Sequence, residues 1–116
     1  MPIERREISG AVIAQALTAN ISNSSTSFDV ADGSSFPTGA LNKFVVVIDR
    51  ATLFEEKILI SARSTNTFTV ATRGYDGTTA VAHASGSIVD HVLDANAVQS
   101  MNTTVFDGQI LYWMGV

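Results

Sequence analysis

The chain of 116 residues has no cysteine. A disulfide framework and a thiolate metal site are both excluded. Charge is scarce as well: charged residues are 16% of the sequence, and the seven Lys and Arg are scattered. With a net charge of −4 there is no basic footprint for nucleic acid. Long apolar runs are missing, since "FVVVI" at 44–48 falls far short of the ~20 residues a membrane-spanning helix needs. The opening "MPIERREISG" is charged and lacks the apolar stretch of a signal peptide. The sequence contains no G-x-S-x-G, no G-x-x-x-x-G-K-[ST], no G-x-G-x-x-G and no H-E-x-x-H. No cofactor is implied.

What is present is apolar. Hydrophobic residues are 46% of the chain, and the mean hydropathy is +0.23. A small monomer needs a charged surface to stay soluble. A chain that replaces charge with Ser, Thr and Ala is expected to cover much of its surface with partners.

The patterning is that of short strands. Residues 1–10 carry mixed charge without periodicity and read as an N-terminal arm. "AVIAQALTANI" (11–21) suits a strand or a helix equally. In "TSFDVA" (26–31), Phe28 and Val30 share one face of a half-buried strand. "DGSSFPTG" (32–39) is a loop by its turn chemistry. "KFVVVIDR" (43–50) is nearly continuous and β-branched, as in a central strand covered on both faces. "FEEKILISAR" (54–63) places Ile58, Ile60 and Ala62 on one face and Lys57, Leu59 and Ser61 on the other. "STN" (64–66) then turns the chain into "TFTVAT" (67–72), with Phe68 and Val70 inward. "SIVDHVLD" (87–94) is a further strand. The expectation is an all-β domain over 11–95: a small barrel or sandwich of five to seven short antiparallel strands.

After Leu93 the spacing of Ala97, Val98, Met101 and Val105 predicts a short helix, with Asp94 as N-cap. The segment "GQILYWMGV" (108–116) is almost wholly apolar and holds the single Trp. Ile110, Leu111, Tyr112, Trp113 and Met114 would form a sticky patch in water. Residues 96–116 are therefore expected to dock, with those five side chains as the interface.

Candidates for chemistry are few. His83 and His91, even with Asp90 or Asp94, have no recognised metal spacing. With twelve serines, pairing one with His83 as nucleophile and base carries little information. Glu55 and Glu56 are adjacent in a strand and point to opposite faces, so they suit a solvated edge or a salt bridge rather than an acid/base pair.

The densest concentration of reactive groups is "RGYDGTTAVAHASGS" (73–87). Asp76-Gly77 predicts a turn with Gly77 at positive φ. Thr78 or Thr79 is then placed to cap a short helical turn, "TAVAHA", with Gly86 as its left-handed C-cap. Arg73 is expected to bond the carbonyls of the turn or to pair with Asp76, and His83 to bond a nearby backbone group. In this reading each polar residue has a structural task and none is catalytic.

The run 27–95 resembles a small β-domain of tailed-bacteriophage virion proteins. The "SF-x-V" strand with its "FPTG" loop, the "EEKI" strand and "TRGYDGTTAVAHASGS" carry the resemblance. The family pattern R-G-x-[DE]-G-T-x-A-x-x-H-x-x-G falls on Arg73, Gly74, Asp76, Gly77, Thr78, Ala80, His83 and Gly86. The resemblance implies a non-enzymatic structural component of the virion, made in the bacterial cytoplasm. A homo-oligomer, expected as a trimer, would contact the major capsid protein or other virion proteins. A small capsid decoration (cement) protein is the first expectation, and a tail, baseplate or fibre-base adaptor the alternative. A host-glycan-binding module, using Tyr75, Asp76 and the 32–39 loop, is a third.

Overall fold

The computed structural model describes residues 6–8 and 12–92. Six antiparallel strands form one sheet: β1 (Gln15–Ala16), β2 (Ser27–Asp29), β3 (Phe44–Ile48), β4 (Glu56–Ser64), β5 (Thr67–Tyr75) and β6 (Ile88–Val92). Their order is β1-β6-β3-β4-β5-β2. The sheet curls into a half-barrel whose margins touch. Leu17 bridges Val30, Thr18 N–H donates to Asp29 O at 3.1 Å, and Ala31 N–H donates to Ala16 O at 3.2 Å. The ambiguous stretch 11–21 contributes the two-residue β1 and isolated bridges at Leu17 and Ile21, and its described residues form no helix.

The concave side holds the core. Phe44, Val46 and Ile48 from β3 meet Ile58 and Ile60 from β4, Phe68 from β5 and Val89 from β6. Phe28 stacks on Phe68 at 5.1 Å, and Phe36 meets the same ring edge-on at 5.1 Å. Such ring pairs add about 0.5–1.5 kcal/mol beyond the area they bury. Val45, Val47 and Leu59 point to the other face and are buried too, as a central strand requires.

The expected alternation in β4 breaks at Ser61. Ile60 pairs with Val70 but Ala62 pairs with Thr69, so one residue of β4 is extra there. A bulge of this kind inverts the faces beyond it. Ala62 therefore turns outward and is exposed, while Arg63 pairs with Phe68.

A larger correction concerns residues 78–86, which run extended over 78–84, turn at 85–86 and contain no helical turn. Their backbone groups are taken by distant partners. His83 N–H donates to Ile21 O at 3.0 Å, and Ile21 N–H donates to His83 O at 2.9 Å. Gly86 N–H donates to Leu17 O at 2.8 Å. Thr78 accordingly caps no helix, and Gly86 is no C-cap. Gly86, with φ of 93°, serves a turn closed by Ser87 N–H to Ala84 O.

Of the N-terminal arm, Arg6 and Glu7 lie against the domain itself, while Ile8 is exposed. Arg6 donates to the Tyr75 hydroxyl at 2.5 Å, and Glu7 Oε2 accepts from Leu41 and Asn42 N–H. The predicted C-terminal helix and the apolar residues Ile110, Leu111, Tyr112, Trp113 and Met114 lie outside the described residues.

Candidate functional site

Period two along β4 puts Glu56 on the same face as Ile58 and Ile60, so its carboxylate enters the core end of the sheet. It is 0% exposed. A buried charge must be neutralised and hydrogen-bonded, and five donors converge on it. Arg73 grips it bidentately, Nε to Oε2 at 2.8 Å and Nη2 to Oε1 at 2.9 Å. Gly74 N–H reaches Oε2 at 2.8 Å, Val81 N–H reaches Oε1 at 3.2 Å, and His83 Nε2 lies 2.8 Å from Oε1.

The other members are equally occupied. Arg73 donates from Nη1 to Ser22 O and Ser25 O, and from Nη2 to Val81 O. Together with the two bonds to Glu56, this uses all five guanidinium N–H groups. The remaining ring nitrogen of His83, Nδ1, lies 2.8 Å from Asp49 Oδ2. An imidazole with a carboxylate on each nitrogen satisfies both only as the doubly protonated cation. Two anions and two cations thus form a compact, neutral knot.

Protonation follows from this geometry. Burial opposes charge on Glu56, but Arg73, His83 and the amides of Gly74 and Val81 outweigh it and hold its pKa down at about 2. Burial likewise opposes charge on His83, but Glu56 and Asp49 overcome it and raise its pKa.

The knot ties together three segments that are far apart in sequence: the 17–25 stretch, the β3–β4 loop and the 78–86 stretch. Gly74 shows how closely they approach. It has φ of +56°, and a Cβ on it would lie 2.7 Å from Ala80 N. Asp76 and Gly77 both have positive φ in a turn closed by Thr78 N–H to Tyr75 O at 3.2 Å. The expected Asp-Gly turn is there.

Two of the expected pairings are corrected. Arg73 does bond carbonyls, yet its carboxylate partner is Glu56 rather than Asp76. Asp76 takes Lys57 Nζ at 2.9 Å. Thr78 accepts from Lys57 N–H at 2.9 Å and donates to Tyr75 O at 2.7 Å, so it joins turn to strand. His83 bonds two carboxylates through its ring. His91 donates from Nδ1 to Val45 O and packs edge-on against Phe44; burial lowers its pKa.

The sequence reading missed Asp49 and undervalued Glu56. The signal for Glu56 was in plain view: a carboxylate at the head of an inward-facing alternation needs a cation across the hairpin. Glu55, by contrast, accepts from Ala51 N–H at 2.7 Å in the β3–β4 loop.

Chemically, the knot is saturated. Glu56 and His83 side chains are both 0% exposed, so neither presents a free lone pair or proton to a substrate. Of the knot, Asp49 reaches the surface most, at 22% exposed, and Arg73 is 11% exposed. Asp49 lines a cleft of about 690 Å³ with Ile21, Phe54, Ala82, His83 and Ala84. Among the described residues, no group of three or more His, Asp and Glu could hold a metal ion. No helix there is long and apolar enough to cross a membrane. No protein-family model matches the chain, and no curated protein matches it either.

Proposed function

We propose that this protein is a non-enzymatic structural component of a tailed-bacteriophage virion, a small capsid decoration protein that stabilises the head through oligomeric contacts. The observation that carries this reading is the fate of the motif residues. Arg73, Gly74, Asp76, Thr78 and His83, the reactive-looking part of the phage-like pattern, are all spent on holding the fold. The described surface does carry exposed apolar side chains beside the knot. Leu53 is 98% exposed and Phe54 59% exposed, on a loop beside the cleft. In a chain with 16% charged residues, this suits a subunit whose surface is covered by neighbours.

Cementing of this kind works by valency. Each subunit contributes a modest apolar contact, and oligomerisation multiplies it. A reconstruction of the intact particle is the deciding experiment. Density for this chain at a symmetry axis of the head lattice is the expected result. Density in the tail would overturn the decoration role and leave a tail adaptor. Absence from the particle would overturn the virion role altogether. Light scattering on the free protein should give the mass of a trimer.

A further inference from the structure

We propose that the cleft beside the β3–β4 loop is the docking site for the apolar segment 108–116 of a second copy of this chain. The inference rests on the reading of the protein as a self-associating assembly subunit, and it names the surface that does the associating.

The cleft is built to receive something. Its volume of about 690 Å³ lies within the roughly 300–1,000 Å³ typical of ligand pockets, enough for a few large side chains. Its walls include Ile21, Phe54, Ala82 and Ala84. The loop on its margin is pinned. Thr52 N–H and Oγ1 both donate to Asp49 O, and Phe54 N–H donates to Thr52 Oγ1 at 3.1 Å. Asp49 and Ala51 are held at φ of 56° and 63°, a conformation that costs a residue bearing a Cβ. Asp49 is anchored in turn to the buried His83. Leu53 and Phe54 are thus presented to water by an ordered loop. An apolar surface fixed in advance loses less entropy on binding.

Chemistry selects the occupant. Segment 108–116 has no charged side chain, and its Ile110, Leu111, Trp113 and Met114 suit apolar walls. The one anion at the cleft surface, Asp49, would repel an acidic peptide but accepts a hydrogen bond from a Tyr112 hydroxyl or a Trp113 indole N–H.

Topology favours a second copy. β6 begins at Ile88, beside the cleft, where Ile88 O accepts from Asp49 N–H. It ends at Val92, paired with Val45, toward the opposite end of the sheet. The chain therefore leaves the described domain heading away from its own cleft. From that end, a head-to-tail neighbour presents its cleft in the direction the chain is already travelling, whereas the chain's own cleft requires residues 93–107 to double back. Repeated with a closing rotation, this contact makes a ring in which each copy gives one segment and receives one.

The test uses the 116-residue chain, whose lack of cysteine makes introduced thiols the only ones. Ala84→Cys places a thiol on the cleft wall, and Gly115→Cys places one beside the apolar run while leaving Trp113 intact. Oxidising a mixture of the two single variants should give a disulfide-linked pair. The double variant should give covalent multimers. An internal disulfide in monomers would overturn the second copy as occupant, and no disulfide at all would overturn the site.

Light scattering on the same samples separates the two claims. A preserved oligomer without the disulfide removes the cleft but keeps self-association. A monomer removes both. As an independent measure, Phe54→Asp alters a largely exposed side chain and should leave the fold of the dissociated chain unchanged, read by its circular dichroism. It should weaken association about tenfold or more and shift the emission of Trp113, the single tryptophan, to the red. Unchanged association and emission would overturn the proposal.

Discussion

The β4–β5 hairpin is tied at both ends by an arginine, and the two ends are held by different physics. At the closed end Arg63 donates from Nε to Phe36 O and Pro37 O, and from Nη1 to Thr65 O at 2.7 Å. These are carbonyl dipoles on a part-exposed surface, and water can replace them. At the open end Arg73 faces a carboxylate that is wholly buried. There, water cannot take over. The same residue type is thus a fastener at one end of the hairpin and a charge requirement at the other.

Arg73→Met should break this comparison most sharply. It strands the Glu56 carboxylate in the core, and removing one partner of a buried pair costs about 3–5 kcal/mol. Denaturant unfolding should show that loss, with the surfaces around Ser22 and Val81 becoming susceptible to proteolysis. A loss under about 1 kcal/mol would mean that Glu56 is not confined as described.

The pH profile sharpens the comparison next. Glu56 has a folded pKa of about 2, below its ordinary value near 4.3. Its contribution is present above pH ~4.3 and is lost as pH falls toward 2, a change of about 3 kcal/mol. His83 is shifted the other way. Its contribution is fully present below pH ~6.5 and is lost as pH rises through its raised folded value. The knot therefore contributes most between these limits. Urea midpoints measured across pH should fall on both sides, and Arg73→Met should flatten the acid limb.

Arg63→Met should have the smallest effect, about 1–2 kcal/mol for hydrogen bonds made on a part-exposed surface. Its pH profile should run parallel to that of the unaltered protein. If Arg63→Met matched Arg73→Met in cost, the distinction between dipole and carboxylate partners would fail.

Much of the sheet was legible from local pattern. Phe28 and Val30, the run 44–48, and the hairpin about Thr65 and Asn66 all follow from alternation and turn chemistry. The inversion at Ala62 and Arg63 was not, because a bulge depends on how the partner strand is engaged. Nor was the extended path of 78–84. Thr78 and Gly86 looked like helix caps because local rules weigh only nearby groups. The groups that won were Lys57 on β4 for Thr78, and Ile21 and Leu17 in the 17–25 stretch for His83 and Gly86.

By itself, then, the sequence determined that this chain makes a small antiparallel sheet with Phe28, Phe44 and Phe68 inside, since side chains in a strand alternate wherever the strand lies. It also determined that "RGYDGTTAVAHASGS" contains a turn at Asp76-Gly77, because that pair tolerates positive φ. Only the tertiary structure decided what the arginine and histidine of that stretch are for. Arg73 reaches Ser22 across 51 positions of sequence, and His83 reaches Glu56 across 27. Buried charges choose their partners by position in the folded molecule, and local sequence does not encode that distance.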